Sequence, residues 1–171
     1  MPDTVVMNPL RHGLVLEDLP DSRAWLVEVM RQAFPAMSVS EAGTLAEARA
    51  AVQAQRPDIA LIDLNLPDGF GVSLISELHQ LSPDIYTVVA TIYDDDQHVF
   101  PALRAGAHGY LLKEQSQELL ANLLRGLVSG EPPLSPAIAR KMLRFFSPPA
   151  SEAGSVALTP REQEVLRLIA K

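Results

Sequence analysis

Segments with strand-like and helix-like hydrophobic patterns alternate five times over about the first 130 residues. This rhythm restricts the chain to a parallel sheet with helices on both faces. The strand candidates are Gly13–Asp18, Met37–Ala42, Asp58–Asp63, Ile85–Thr91 and His108–Leu112. Short apolar or β-branched runs such as IALI and YTVVAT suit strands buried on both sides. The helix candidates are Asp21–Phe34, Thr44–Gln55, Val72–Leu81, Asp94–Gly106 and Gln115–Val128. Each sets apolar side chains at helical spacing, as with Trp25, Leu26, Val29, Met30 and Ala33. Hydrophobic residues make up 47% of the chain, enough to fill such a core.

The pattern changes at Gly130. Pro132, Pro133, Pro136, Pro148 and Pro149 bracket one helical stretch, Pro136–Phe146, and Ser151–Ser155 is small and polar. We read 130–157 as a linker containing a helix, with Met142, Leu143, Phe145 and Phe146 exposed on it. A new helix opens at 158, with Thr159 as N-cap, Pro160 as first helical residue and Glu162 as the reciprocal cap. Its apolar face is Val165, Leu166, Leu168 and Ile169. We expect it to fray, or to dock on apolar surface of its own chain or of a second copy. Residues 1–12 read as a leader, too short and broken for a signal peptide. No apolar run reaches the roughly 20 residues that span a bilayer. With no cysteine in the chain there is neither a disulfide framework nor a thiolate site. A cytoplasmic location with no membrane partner is expected. A net charge of −7 argues against this stretch gripping nucleic acid by itself.

The strand ends carry the chemistry. In an open parallel sheet the loops at the carboxyl ends of the strands form the ligand crevice. Here the first strand ends in Glu17-Asp18, the third in Asp63 and the fourth in Thr91, and the fifth is followed by Lys113. With strand order 2-1-3-4-5, the first and third strands are neighbours and Glu17, Asp18 and Asp63 converge. Three clustered carboxylates repel one another, and a hard divalent cation such as Mg²⁺ resolves the conflict. Lys113 and the Thr91 hydroxyl add donors for phosphoryl oxygens. Such a set suits phosphoryl transfer to a carboxylate, with Asp63 as the nucleophile.

LEDLP at 16–20, LIDLNLPDGFG at 61–71, VVATIYDDD at 88–96 and AGAHGYLLKE at 105–114 resemble, in order and spacing, the signature regions of response-regulator receivers. LTPREQEVLRLIAK at 158–171 resembles the opening of a LuxR-type helix-turn-helix. Together they resemble the NarL/FixJ subfamily. The resemblance implies a flavodoxin-like, doubly wound α/β fold over 13–129, followed by a helical C-terminal extension. It implies Asp63 as phosphoacceptor. It implies Mg²⁺ on Asp18, Asp63 and the Asn65 carbonyl, with Glu17 directly or through water. It implies Lys113 and Thr91 on the phosphoryl group and Tyr110 as the switch aromatic. A sensor histidine kinase, a homodimer, and DNA bound only through a complete output domain are the partners implied. On this reading 158–171 is the first helix of an incomplete DNA-binding domain, and the protein is a regulator of transcription rather than an enzyme.

Three other functions compete. A flavodoxin-like cofactor enzyme would need a Gly/Ser/Thr-rich loop after the first strand, where this chain has Glu-Asp-Leu-Pro-Asp. An aspartyl-phosphate phosphatase resembles Asp-x-Asp, but Asn65 stands at the second position and cannot transfer protons. A degenerate receiver would lack part of the set formed by the acidic pair, Thr91 and Lys113. Asp94–Asp96 reads as a solvated helix start, and the four histidines lack zinc-site spacing.

Overall fold

The structure is a computed structural model that describes residues 10–146 together with Arg161, Glu164 and Val165. In chain order, β1 is His12–Leu16, α1 Pro20–Ala33, β2 Ser38–Ala42, α2 Leu45–Ala54 and β3 Ile59–Ile62. A two-residue hairpin follows, β4 (Asn65–Leu66) and β5 (Gly69–Phe70). Then come α3 Gly71–Leu81, β6 Tyr86–Thr91, α4 Asp96–Arg104, β7 Gly109–Leu112, α5 Gln117–Arg125 and α6 Pro136–Phe146.

The main sheet runs β2-β1-β3-β6-β7 with every pair parallel. This is the expected 2-1-3-4-5 order once the small hairpin is set aside. Every residue of β1, β3 and β7 is buried, whereas the edge strand β2 is partly exposed. Two apolar clusters lie on the two faces of the sheet. One joins Leu14, Leu16, Ile62 and Val89 to α3 and α4. The other joins Val15, Leu61 and Val88 to α1 and α5.

Several boundaries shift for local reasons. β1 starts at His12, one residue before the expected strand start; the His12 ring is held between the Ser38 and Ser40 hydroxyls at 2.8 and 3.0 Å. The helix expected over 94–106 spans Asp96–Arg104. Asp95 stands at its N-cap but makes no side-chain cap, because its carboxylate is engaged by His98 at 2.7 Å. The helix expected to reach Val128 changes at Arg125 into a 3₁₀ turn, Gly126–Ser129. Gly130 ends that turn in the left-handed region, with φ 81°. Pro67 and Asp68 form the turn of the β4–β5 hairpin. Asp68 ties that hairpin to α2, accepting from Leu45 and Ala46 N–H at 2.8 and 3.0 Å.

The largest correction concerns the segment after Gly130. The helix has the expected bounds, but Met142 is buried rather than exposed, and Leu134 and Ile138 are buried with it in the cluster that holds Tyr110. Leu143 is exposed as expected, while the side chains of Phe145 and Phe146 lie outside the described residues. Of the tail, Arg161 donates to the Ala107 carbonyl at 3.1 Å and Val165 is buried in the same cluster, so this part docks on its own chain. The capping expected at Thr159, Pro160 and Glu162 falls outside the described residues, as do Leu166, Leu168 and Ile169.

Candidate functional site

Parallel pairing sets the end of β1 beside the end of β3, with Leu16 opposite Ile62. The next residues, Glu17 and Asp63, leave the sheet side by side, and the Asp63 N–H donates to the Leu16 carbonyl at 2.9 Å. Carboxylate oxygens of Glu17, Asp18 and Asp63 lie within 4.8 Å of one another. Glu17 and Asp63 are buried and Asp18 is half-buried. Gly71 opens α3 directly behind Asp63, and a Cβ there would overlap the Asp63 carbonyl. Only glycine lets the helix start this close to the site.

Lys113 enters from just beyond β7. Its Nζ donates to Asp63 Oδ2 at 2.9 Å and to Glu17 Oε2. Asp63 Oδ1 accepts the Leu64 N–H at 2.7 Å. These contacts divide the two acids. Burial pushes the Glu17 carboxyl up to about 7; a hydrogen bond and charge shared with Asp63 add to that, and Lys113 opposes it. Burial also acts to raise Asp63, but hydrogen bonds from Glu17 and Lys113, the Lys113 charge and the Leu64 N–H outweigh it, so Asp63 sits below the usual carboxylate range. Burial disfavours the Lys113 ammonium, yet its two carboxylate partners hold its pKa above the ordinary lysine value. Asp63 is thus the ionised, donor-facing oxygen pair of the cluster, and Glu17 is its protonatable neighbour.

Thr91 ends β6 fully buried, and its Oγ1 has no hydrogen-bond partner among the described residues. A buried hydroxyl left without a partner costs about 1–3 kcal/mol. Tyr110 stands apart from the acids. It is wholly buried, and its hydroxyl donates to the Tyr93 carbonyl at 2.5 Å. Burial, with Asp95, Asp94 and Asp63 nearby, pushes that phenol well above its ordinary value. Tyr93 stacks on His98, with ring centroids 4.3 Å apart and planes 8° from parallel. Asn65 follows Leu64 at the start of β4, half-buried.

The fold thus brings Glu17, Asp18, Asp63 and Lys113 together at the carboxyl ends of the strands, with Thr91 ending the neighbouring β6 and Tyr110 tied to the loop after Thr91. Sequence reasoning missed Ser135, which is fully buried with its hydroxyl accepting the Leu112 N–H at 2.8 Å. The available signal was a serine just before a proline, a helix-start pattern.

Residues 14–125 match the response regulator receiver domain. The chain is similar to the DNA-binding transcriptional activator DevR/DosR of Mycobacterium tuberculosis, 34% identical over 78% of this chain and 62% of that protein. It is also similar to the nitrate/nitrite response regulator protein NarL of Escherichia coli, 30% identical over 92% of this chain and 74% of that protein. A crystal structure of a LuxR-family two-component response regulator from Aurantimonas superposes with a TM-score of 0.71, covering 80% of this chain and 97% of that one at 22% identity. At that identity the likeness speaks for the fold alone. The chain spans about three fifths of the length of several curated relatives it matches.

Proposed function

The chain belongs to the response regulator receiver family, with NarL-type relatives, and on that premise we propose a phosphorylation-dependent regulator of a two-component system that accepts a phosphoryl group on Asp63. The observation that carries the reading is the cluster itself: Asp63 beside Glu17 and Asp18, with Lys113 on its outer oxygen. A sensor histidine kinase is the donor. A carboxylate oxygen of Asp63 bonds to phosphorus as the donor's bond to phosphorus breaks, leaving an aspartyl phosphate. Lys113 lies where it can hold a phosphoryl oxygen, and the unpartnered Thr91 hydroxyl can donate to another. The signal passes to transcription through a LuxR-type helix-turn-helix that 158–171 begins. DNA is bound by that output domain and not by the acidic receiver. The region 13–129 is the receiver, and 130–157 joins it to the output.

The donor set fits Mg²⁺. Three carboxylates against one ammonium leave the cluster anionic, and all of its ligand atoms are hard oxygens. Asp18, Asp63 and the Asn65 carbonyl would hold the ion, with Glu17 directly or through water. When bound it screens the charge between the carboxylates and the incoming phosphoryl group. Asn65 offers no base to activate water, so the aspartyl phosphate persists long enough to signal.

No helix among the described residues is long and apolar enough to cross a membrane. We place the protein in the cytoplasm, with a homodimer among its working forms. The test is incubation with acetyl phosphate and Mg²⁺, followed by intact mass. Gain of one phosphoryl group, lost in Asp63→Asn and when the metal is chelated, is the expected result. Equal labelling of Asp63→Asn overturns the assignment.

A further inference from the structure

β7 is the last strand of the main sheet, and its outer edge carries N–H and C=O groups that β6 does not use. The segment just after the 3₁₀ turn fills that edge. Tyr110 N–H donates to the Pro133 carbonyl at 2.9 Å, Ser135 N–H donates to the Tyr110 carbonyl at 3.0 Å, and Leu112 N–H donates to Ser135 Oγ at 2.8 Å. Gly109 permits this approach, since a Cβ there would overlap the ring and carbonyl of Pro133. α6 then returns over the same ground, and Leu134, Ile138 and Met142 share a buried cluster with Tyr110. A stretch that reads as a proline-rich linker is therefore bonded to the one aromatic residue of the switch set.

One short loop joins this segment to the acidic site. It starts at Thr91, whose hydroxyl lacks a partner. Two residues on, the Tyr93 carbonyl accepts the Tyr110 hydroxyl. At the loop's far end, Asp96 of α4 pairs with Lys141 of α6 at 2.6 Å. For Tyr110 to swing out of the core, it must give up the Tyr93 carbonyl and leave the buried cluster that Leu134, Ile138 and Met142 also fill. A docked α6 closes over that cluster and so disfavours an outward Tyr110.

We propose that 131–146 is a conformational strap which, when docked, holds Tyr110 inward and so favours the arrangement in which Thr91 meets a phosphoryl oxygen. The inference rests on Asp63 being the phosphoacceptor. Strap docking and phosphorylation then favour the same state, and the coupling is reciprocal: each strengthens the other by the same factor. The phosphorylated protein holds its strap more tightly, and α6 passes that change to whatever follows it in the chain.

The full chain is treated with acetyl phosphate and Mg²⁺, its labelling followed by intact mass, and amide exchange read at Tyr110, Leu112 and Ser135. Phosphorylation should slow exchange at these three amides by about fivefold or more, the lower end of ordinary allosteric coupling. Ile138→Ala should speed exchange there in the unlabelled protein and slow labelling of Asp63. Lys141→Ala, which removes only the exposed ion pair to Asp96, should shift both readings the same way by less. It keeps the test open if Ile138→Ala folds poorly. Full labelling with unchanged exchange at the three amides overturns the strap alone. Labelling of both variants at the normal rate while those amides exchange freely also overturns it. Absence of labelling at Asp63 removes the proposed function and the strap together.

Discussion

Replacing Glu17 with glutamine should make the metal-free protein more stable, and increasingly so as pH rises. The Glu17 side chain is 1% accessible and its carboxyl titrates at about 7, against an ordinary value of 4.5. Between those values the folded chain holds a proton that the unfolded chain has released. Stability attached to Glu17 is therefore complete below pH 4.5 and lost as pH rises through 7. At about 1.36 kcal/mol per pKa unit, the loss between pH 5 and pH 8 is roughly 2–3 kcal/mol, an upper bound. Asp63 lies below its ordinary 3.8 and Lys113 above its ordinary 10.5, so neither titrates in this window. Glutamine keeps a hydrogen-bonding oxygen for Lys113 and removes the titration. The assay is urea unfolding followed by the fluorescence of Trp25, the sole tryptophan, with a chelator present, at pH 5, 6, 7 and 8. Comparing variant with parent at each pH cancels titrations elsewhere in the molecule. Added Mg²⁺ should narrow the gap at pH 8, because the cation stabilises the chain that keeps the Glu17 carboxylate more than the variant. A difference between variant and parent that stays constant from pH 5 to 8 would refute the reasoning.

Three further outcomes follow from single groups. Thr91→Val removes a buried hydroxyl without a partner and keeps the β-branch, so it should stabilise the resting protein by about 1–2 kcal/mol in urea unfolding; destabilisation would mean the hydroxyl is satisfied. His108 is held down to about 4 by burial and the nearby charges of Arg161 and His79, and its Nδ1 accepts the Thr87 N–H at 3.1 Å, with Glu131 and Glu164 lining the adjacent cavity. Its contribution to stability is complete above pH 6.5 and falls away toward pH 4, by up to about 3 kcal/mol, and His108→Asn should flatten that acid limb; an unchanged limb would assign it to another group. Tyr93 stands two residues past Thr91 with its ring stacked on His98, and Tyr93→Ala should shorten the lifetime of the aspartyl phosphate by admitting water, read as decay of the phosphorylated mass after the donor is removed; an unchanged rate removes Tyr93 from the account.

Much of this molecule could be read from local pattern because the deciding interactions are local or periodic. IALI and GYLL are buried on both sides and look so in the sequence. The acids at the ends of β1 and β3 meet because parallel pairing of adjacent strands brings their ends together. What could not be read depends on contacts distant in sequence. Met142 looked exposed because the buried cluster it joins is built mostly from residues far earlier in the chain, Tyr110 among them. Prolines 132, 133 and 136 signalled a linker, yet proline suits an edge segment, where an absent N–H faces away from the ladder. Pro133 gives its carbonyl to Tyr110 and has no N–H of its own to leave unpaired.

The same structural accounting explains why the site and the strap differ in character. At the acidic site, three carboxylates crowd together with one ammonium that pairs with two of them, and a buried hydroxyl lacks a partner among the described residues, so the resting protein gives up stability there. On β7's outer edge the backbone groups of Tyr110 and the Leu112 N–H are satisfied by the strap, and apolar side chains close over them. A group that adds oxygens for Lys113 and Thr91 lowers the energy of the first region directly. It can change the second through the Thr91–Asp96 loop, which accepts the Tyr110 hydroxyl and pairs with α6. If that loop is the link, Lys141→Ala combined with Tyr110→Phe, which removes its ion pair to α6 and its hydrogen bond from Tyr110, should slow acetyl phosphate labelling of Asp63 without abolishing it. Amide exchange at Ser135 should then stop responding to the label. Retained response in that double variant would mean the signal reaches α6 by another route, through β7 itself.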